Sequence, residues 1–150
     1  MRRYGMLMLF LAGVLGGGTL IGLLFQPGDW YAALAKPPFN PPDWIFAPVW
    51  STLYVLIAIA GWRTGMRECR GAAMTAWFAQ LALNFLWSPV FFGLHQPGMA
   101  FIVILAMLVA IIVFVVQRWA RDTAAALLFV PYAAWVAVAM LLNGAIWRLN

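Results

Sequence analysis

The chain has 150 residues, 66% of them hydrophobic and only 9% charged, with a net charge of +5. A soluble domain carries roughly 25% charged residues, so this chain has too few polar side chains to wet the surface of a globule, and it is too apolar for intrinsic disorder. Cys69 is the sole cysteine, which excludes an intrachain disulfide. A mean hydropathy of +0.93 leaves a polytopic membrane protein with a single domain, 1–150.

Five apolar segments follow in chain order: 5–25, 44–62, 71–93, 98–117 and 123–147. Each comes near or exceeds the roughly 20 residues that a helix needs to cross a bilayer core. Continuous runs such as Phe101 to Val116 lack the alternation of barrel strands. The expected fold is all-α, a bundle of five transmembrane helices. Arg2 and Arg3 open the chain as a signal peptide would. The following apolar run is too long for one, however, and it ends in Phe25, Gln26 and Pro27 with no small-x-small cleavage site, so it reads as a retained first helix.

The basic residues set an orientation. One side of the membrane would hold Arg2, Arg3, Arg63, Arg67, Arg70, Arg118 and Arg121, the other only Lys36 and Arg148. That bias makes the first side, with the N-terminus, cytoplasmic in an inner membrane. Final placement in an outer membrane would break the rule, so inner versus outer stays open. The pI of about 10.2 then reflects topology and anionic lipid, and calls for no nucleic acid.

The first loop, 26–43, reads QPGDWYAALAKPPFNPPD. Asp29 is predicted to cap a short helix over Trp30 to Ala35. The double prolines Pro37–Pro38 and Pro41–Pro42 then impose a stiff, extended path. With Trp30, Tyr31, Phe39 and Trp44, this loop reads either as a lid or as an interfacial aromatic anchor. Pro48 and Pro131 are expected in the first turns of their helices, and Pro89 either kinks or frays the end of the third segment. Gly13 and Gly17, Gly18 and Gly22, and Ala72, Ala76, Ala79 and Ala82 suit close helix approach, within one chain or between two copies. Gly16 to Gly18 lacks the strand and the Lys and Ser/Thr of a phosphate loop.

No charge lies deep in any apolar segment, which argues against a charge-relay pump or a carboxylate-lined channel. The deep polar groups are Tyr54, Gln80, Asn84 and Asn143. Tyr54 follows Trp50 by one turn, Gln80 and Asn84 share a stripe with Trp77 and Trp87, and Asn143 lies two turns beyond Trp135. Such stripes serve either as interhelical hydrogen bonds or as an aromatic-walled pocket for a flat apolar ligand with polar edges. The chain's nine tryptophans exceed what interfacial anchoring needs and hint at the pocket. His95 stands alone in a short loop, Cys69 sits among arginines and Ser51 has no nearby base. The sequence thus offers no metal site and no catalytic nucleophile, and the one haem-ligand reading rests on His95 alone.

Three stretches carry a resemblance: WYAALAKPPFNPPDWIFAPVWSTLYVL from Trp30, AQLALNFLWSPVFFG from Ala79 and LFVPYAAWVAVAMLLNGAIWRLN from Leu128. The KPPxxPPxW element followed by NxxWxP resembles the tryptophan-rich sensory protein family, also called the translocator protein or peripheral-type benzodiazepine receptor family. The likeness covers nearly the whole chain. It implies a homodimeric membrane receptor or sensor with a pocket opening toward the first loop. The implied ligands are protoporphyrin IX or a haem-like tetrapyrrole, and other flat apolar molecules such as isoquinoline carboxamides and benzodiazepines, with no obligatory cofactor. The implied ligand-binding residues are Trp30 and Trp44 in the loop, then Trp50, Tyr54, Asn84, Trp87, Trp135, Ala139 and Asn143, with Lys36 or Arg148 available to propionates. The family leaves two other activities open: light- and oxygen-dependent porphyrin breakdown, and transport of porphyrin or apolar ligands. The steroid motif proposed for animal members fails here, because the first basic residue after Val130 and Tyr132 is Arg148. The loop also has Pro38 and Phe39 where some members have a tryptophan.

Overall fold

The computed structural model describes residues 2–150. Its helices are α1 (Arg2–Leu24), α2 (Asp29–Ala33), α3 (Phe46–Arg67, entered through a 3₁₀ turn at Asp43–Ile45), α4 (Ala72–Ser88), α5 (Pro97–Trp119) and α6 (Thr123–Leu149), and no strand occurs among the described residues. The fold is all-α and that of an integral, multi-pass membrane protein.

The expected five transmembrane helices are corrected to four. Among the described residues, only α1, α3 with its leading turn, α5 and α6 are long and apolar enough to cross a membrane. The exception is the segment 71–93. Its α-helix stops after 17 residues, a length of about 26 Å at 1.5 Å per residue, short of a core of roughly 30 Å. Pro89 has no N–H, and its ring disturbs the carbonyl one turn back. The chain therefore widens into a π-helical turn over Pro89–Gly93, in which the Leu94 N–H reaches the Pro89 carbonyl at 2.9 Å.

Other boundaries also move. α3 runs on to Arg67, so Arg63 and Arg67 extend from a helix rather than a loop. Pro131 lies inside α6, which starts at Thr123, instead of in a first turn. Asp29 sits in the first turn of α2, and the capping position is Gly28, without a side-chain bond.

The long helices pack in the order α1, α3, α6, α5, with α4 lying along α5 and returning to α1. The core between them is apolar and close-packed: Ile57, Ile104, Ile111, Phe114, Phe129 and Val136 are all buried, and the rings of Phe114 and Phe129 lie 4.1 Å apart at a tilt of 32°. Trp77 anchors α4 to α3 by donating its indole N–H to the Ile57 carbonyl at 2.9 Å.

The end of the bundle away from the first loop is tied by charge. Arg63 on α3 grips Asp122, the N-cap of α6, with two hydrogen bonds of 3.2 and 2.8 Å, and Asp122 also accepts from the Ala125 N–H. The buried Arg118 pairs with Glu68. The hydrogen bond from Arg118 and the charges of Arg118 and Arg121 hold the Glu68 carboxyl below its ordinary range, against a smaller effect of desolvation. For Asp122, burial raises the carboxyl, but the bonds from Arg63 and Ala125 and the charges of Arg63 and Arg67 together bring it lower. Gly71, at φ 151°, makes the turn into α4 beside Glu68, a backbone shape that L side chains rarely adopt.

Candidate functional site

A cavity of about 410 Å³ opens between the helices at the first-loop end. Each helix contributes from the half nearer that loop: α1 through Gly18, Ile21 and Gly22, α3 through Phe46, Trp50 and Tyr54, α4 through Asn84 and Trp87, α5 through Ile104 and Met107, and α6 through Trp135, Ala139 and Asn143. Phe91 and Phe92 of the π turn complete one wall, and Tyr31, Asn40 and Asp43 of the loop stand at the mouth. Both phenylalanines belong to the widened turn after Pro89.

The aromatic walls are held in place by their neighbours. Trp87 stacks on Phe91 at 5.0 Å and donates its indole N–H to Asn143 Oδ1 at 3.0 Å. The Asn143 amide in turn donates to the Pro97 carbonyl at 2.7 Å. Trp50 lies 5.5 Å from the Tyr54 ring and 6.3 Å from that of Tyr132. Trp135 meets Phe46 edge to face at 5.8 Å, and its buried indole N–H has no hydrogen-bond partner among the described residues. Its other side lines a shallow groove on the outer surface between Pro48 and Thr52 of α3 and Pro131 and Val138 of α6.

The polar floor is a connected chain. The Tyr54 hydroxyl donates to Asn84 Oδ1 at 3.2 Å, Asn84 Nδ2 to the Tyr132 hydroxyl at 2.9 Å, and Tyr132 to Gln80 Oε1 at 2.8 Å. Gln80 Nε2 ends the chain on the Trp77 carbonyl at 2.8 Å. Gly18 lets this floor form, since a Cβ there would run into the Tyr54 ring.

Of the nine residues expected at the site, Trp50, Tyr54, Asn84, Trp87, Trp135, Ala139 and Asn143 line the cavity, while Trp30 and Trp44 do not. Trp44 is 73% exposed, as the 3₁₀ turn carries it outward. Trp30 stacks on His95 at 4.3 Å and meets Phe91 edge to face, and His95 takes the left-handed φ of 56° there. The loop therefore divides its aromatics: Tyr31 covers the mouth, while Phe39 and Trp44 face out. Lys36 is spent on the Tyr31 carbonyl at 2.9 Å and on the Tyr31 ring. Asn150 fastens the loop with two amide bonds to the Ala35 backbone, of 3.0 and 3.1 Å. Burial, and secondarily the Asp43 charge, push the Tyr31 phenol above its ordinary value.

Sequence reasoning places Tyr31 in the loop read as a lid or an anchor but not among the ligand-binding residues, and it misses Phe46, Phe91 and above all Tyr132, whose partners come from α4 and are seen only once the helices pack.

The fold and the site together define the class: an all-α, multi-pass membrane protein with an aromatic-walled cavity between its helices. The chain matches the TspO/MBR family over residues 8–148 and belongs to it. It is 40% identical over 145 residues to the protein CrtK of Rhodobacter capsulatus, covering 94% of this chain and 89% of that one. It is 38% identical over 147 residues to the tryptophan-rich sensory protein of Cereibacter sphaeroides, covering 98% and 92%. With the human translocator protein it shares 36% identity over 141 residues, covering 89% and 83%.

Proposed function

We propose that the protein is a membrane receptor or sensor that binds a tetrapyrrole, protoporphyrin IX foremost, in the cavity at the first-loop end. Family membership supports a tetrapyrrole-related membrane function. The observation that carries the finer reading is the convergence of Trp50, Trp87 and Trp135 with Tyr54 and Asn84 on one cavity. Its volume lies within the range of roughly 300–1,000 Å³ usual for small-molecule sites. Flat rings gain dispersion and offset stacking against indole faces, and the few polar groups set the orientation of the ligand. Asp43 stands at the mouth of the cavity, and like-charge repulsion would hold the propionates of a porphyrin to the part of the mouth away from it, in water.

Titration of the solubilised protein with protoporphyrin IX in the dark, read by tryptophan quenching, tests this. Saturable quenching is expected, weakened by both Trp50→Phe and Trp135→Phe. A linear, unsaturable response equal to that of free indole would overturn the reading.

A second reading, light- and oxygen-dependent breakdown of the bound porphyrin, draws support from the close run of Trp50, Tyr54 and Tyr132 rings, which offers an oxidisable path next to the ligand. Bleaching of bound porphyrin in light that Trp50→Phe abolishes, with affinity retained, would favour it. We also propose a homodimer: Ala72, Ala79 and Ala82 lie exposed on the outer side of α4, where small residues let a second copy approach closely. Cross-linking in lipid through cysteines placed at Ala79 tests that contact.

A further inference from the structure

The hydrogen bonds beneath the cavity form a chain with one possible direction. It ends on the Trp77 main-chain carbonyl, which can only accept. The group 2.8 Å from it on Gln80 must therefore be the amide nitrogen, and Gln80 turns its oxygen to Tyr132. Tyr132 has a single hydroxyl hydrogen and gives it to that oxygen at 2.8 Å. Its other neighbour, the Met107 sulfur at 3.4 Å, is a weak acceptor and competes poorly. The Tyr132 oxygen is then left to accept, so the atom 2.9 Å away on Asn84 must be its nitrogen. That puts the Asn84 oxygen opposite Tyr54, whose hydroxyl must donate to it. A choice made at a helix carbonyl is passed through three side chains to the cavity wall. Gln80 and Tyr132, both fully buried, lie outside that wall.

The consequence falls on Tyr54. A tyrosine facing a pocket can usually donate to a ligand carbonyl. Here its hydrogen is committed to Asn84, and what it offers the cavity is an oxygen lone pair. We propose that Gln80 and Tyr132 are positioning residues that fix the Tyr54 hydroxyl as a hydrogen-bond acceptor toward the cavity, so that the site prefers flat apolar ligands with an N–H or O–H donor at the edge that meets Tyr54. This rests on the reading of the cavity as a ligand site and adds a polarity to it. On a tetrapyrrole the fitting edges are a protonated propionic acid or, in an opened ring, a lactam or pyrrole N–H. A ligand meeting Tyr54 with a bare carbonyl or ether oxygen finds lone pair against lone pair.

Three tricyclic probes of nearly equal shape isolate the effect: carbazole, with an edge N–H; dibenzofuran, with an oxygen in its place; and 9-methylcarbazole, with the N–H capped. Binding is measured by equilibrium dialysis against the full chain in nanodiscs, with empty nanodiscs correcting for partition into lipid. One hydrogen bond gained against one repulsive contact predicts that carbazole binds more tightly than either relative, on the order of fivefold. In Gln80→Leu the Tyr132 hydroxyl hydrogen is released, Asn84 can turn over and Tyr54 regains a free donor. The carbazole-to-dibenzofuran ratio should then fall to one or below, with both probes still bound. Tyr132→Phe should also remove the preference, and either variant suffices if the other fails to give a monodisperse, helical protein. Equal binding of carbazole and dibenzofuran to the unmodified chain, or a preference that survives in both variants, would overturn the proposal. Competition with protoporphyrin IX separates it from the tetrapyrrole reading. If the carbazole preference holds but protoporphyrin IX fails to displace the probe, the acceptor floor stands and the tetrapyrrole assignment falls. Displacement without any preference has the opposite meaning.

Discussion

Trp87 donates its indole N–H to Asn143 across 3.0 Å, joining the end of α4 to the last third of α6 beside the cavity. Asn143 is buried and passes the link on to the Pro97 carbonyl at the start of α5, so one amide sets the spacing of three helices and the tilt of one aromatic wall. Removing it leaves a donor and an acceptor unpartnered in an apolar setting, at about 1–3 kcal/mol for such a group. Asn143→Leu is expected to lower stability by about 2 kcal/mol and to loosen Trp87, shown by a changed tryptophan emission maximum and weaker porphyrin quenching. Unchanged emission and affinity would mean that Phe91 alone holds the indole.

Gly18 gives a sharper test of the cavity wall. A methyl group there would collide with the Tyr54 ring, and overpacking of this kind costs roughly 1–3 kcal/mol. In Gly18→Ala, Tyr54 must swing away from Asn84, and ligand affinity should fall about fivefold, the worth of one hydrogen bond. Gly16→Ala, on the same helix with nothing within 4 Å, should bind as the unmodified protein does. A Gly18→Ala protein with full affinity would show that the position of Tyr54 is immaterial to binding.

The legible part of the architecture was whatever depends on residue type alone. Unbroken apolar runs with no alternation announce helices, and they gave the approximate limits of α1, α5 and α6. The miscount at the segment 71–93 came from treating Pro89 as an end effect within one span, whereas the π turn after it leaves α4 too short to count. The site was half legible. Tryptophan beside tyrosine or asparagine at helical spacing marked the faces of α3, α4 and α6. Spacing within one helix carries no information about partners on another, so the role of Tyr132 and the direction of its hydrogen bonds were invisible. The arginines of α3 illustrate the same limit: they read as loop charges for topology, yet Arg63 grips an acid 59 residues away.

The first loop is latched by side chains remote in sequence. Asn150 both donates to and accepts from the Ala35 backbone, as a neighbouring strand would. Asn150→Ala should leave the bundle's stability within about 0.5 kcal/mol, as for a surface substitution, but free the loop. Hydrogen exchange of residues 26–45 should speed up, and porphyrin dissociation should quicken by a few-fold while association changes less. If exchange at Ala35 is unaltered, the Trp30–His95 stack holds the loop without help, and the double variant with His95→Ala would then release it.

The opposite end of the bundle responds to pH. Asp122 and Glu68 both titrate below their ordinary range in the folded chain. Each group therefore adds stability above its unfolded pKa, about 3.9 for Asp and 4.3 for Glu. That contribution is lost as the pH falls through the lower folded value. Thermal stability in detergent should be level between about pH 7 and 5 and should fall below about pH 4. Asp122→Asn keeps an oxygen to cap the Ala125 N–H but leaves Arg63 without its carboxylate. It should cost about 2 kcal/mol at pH 7, the scale of a charged hydrogen bond, and make the decline below pH 4 shallower. A variant that loses stability equally at every pH would show that packing of Asp122, and not its charge, joins α3 to α6.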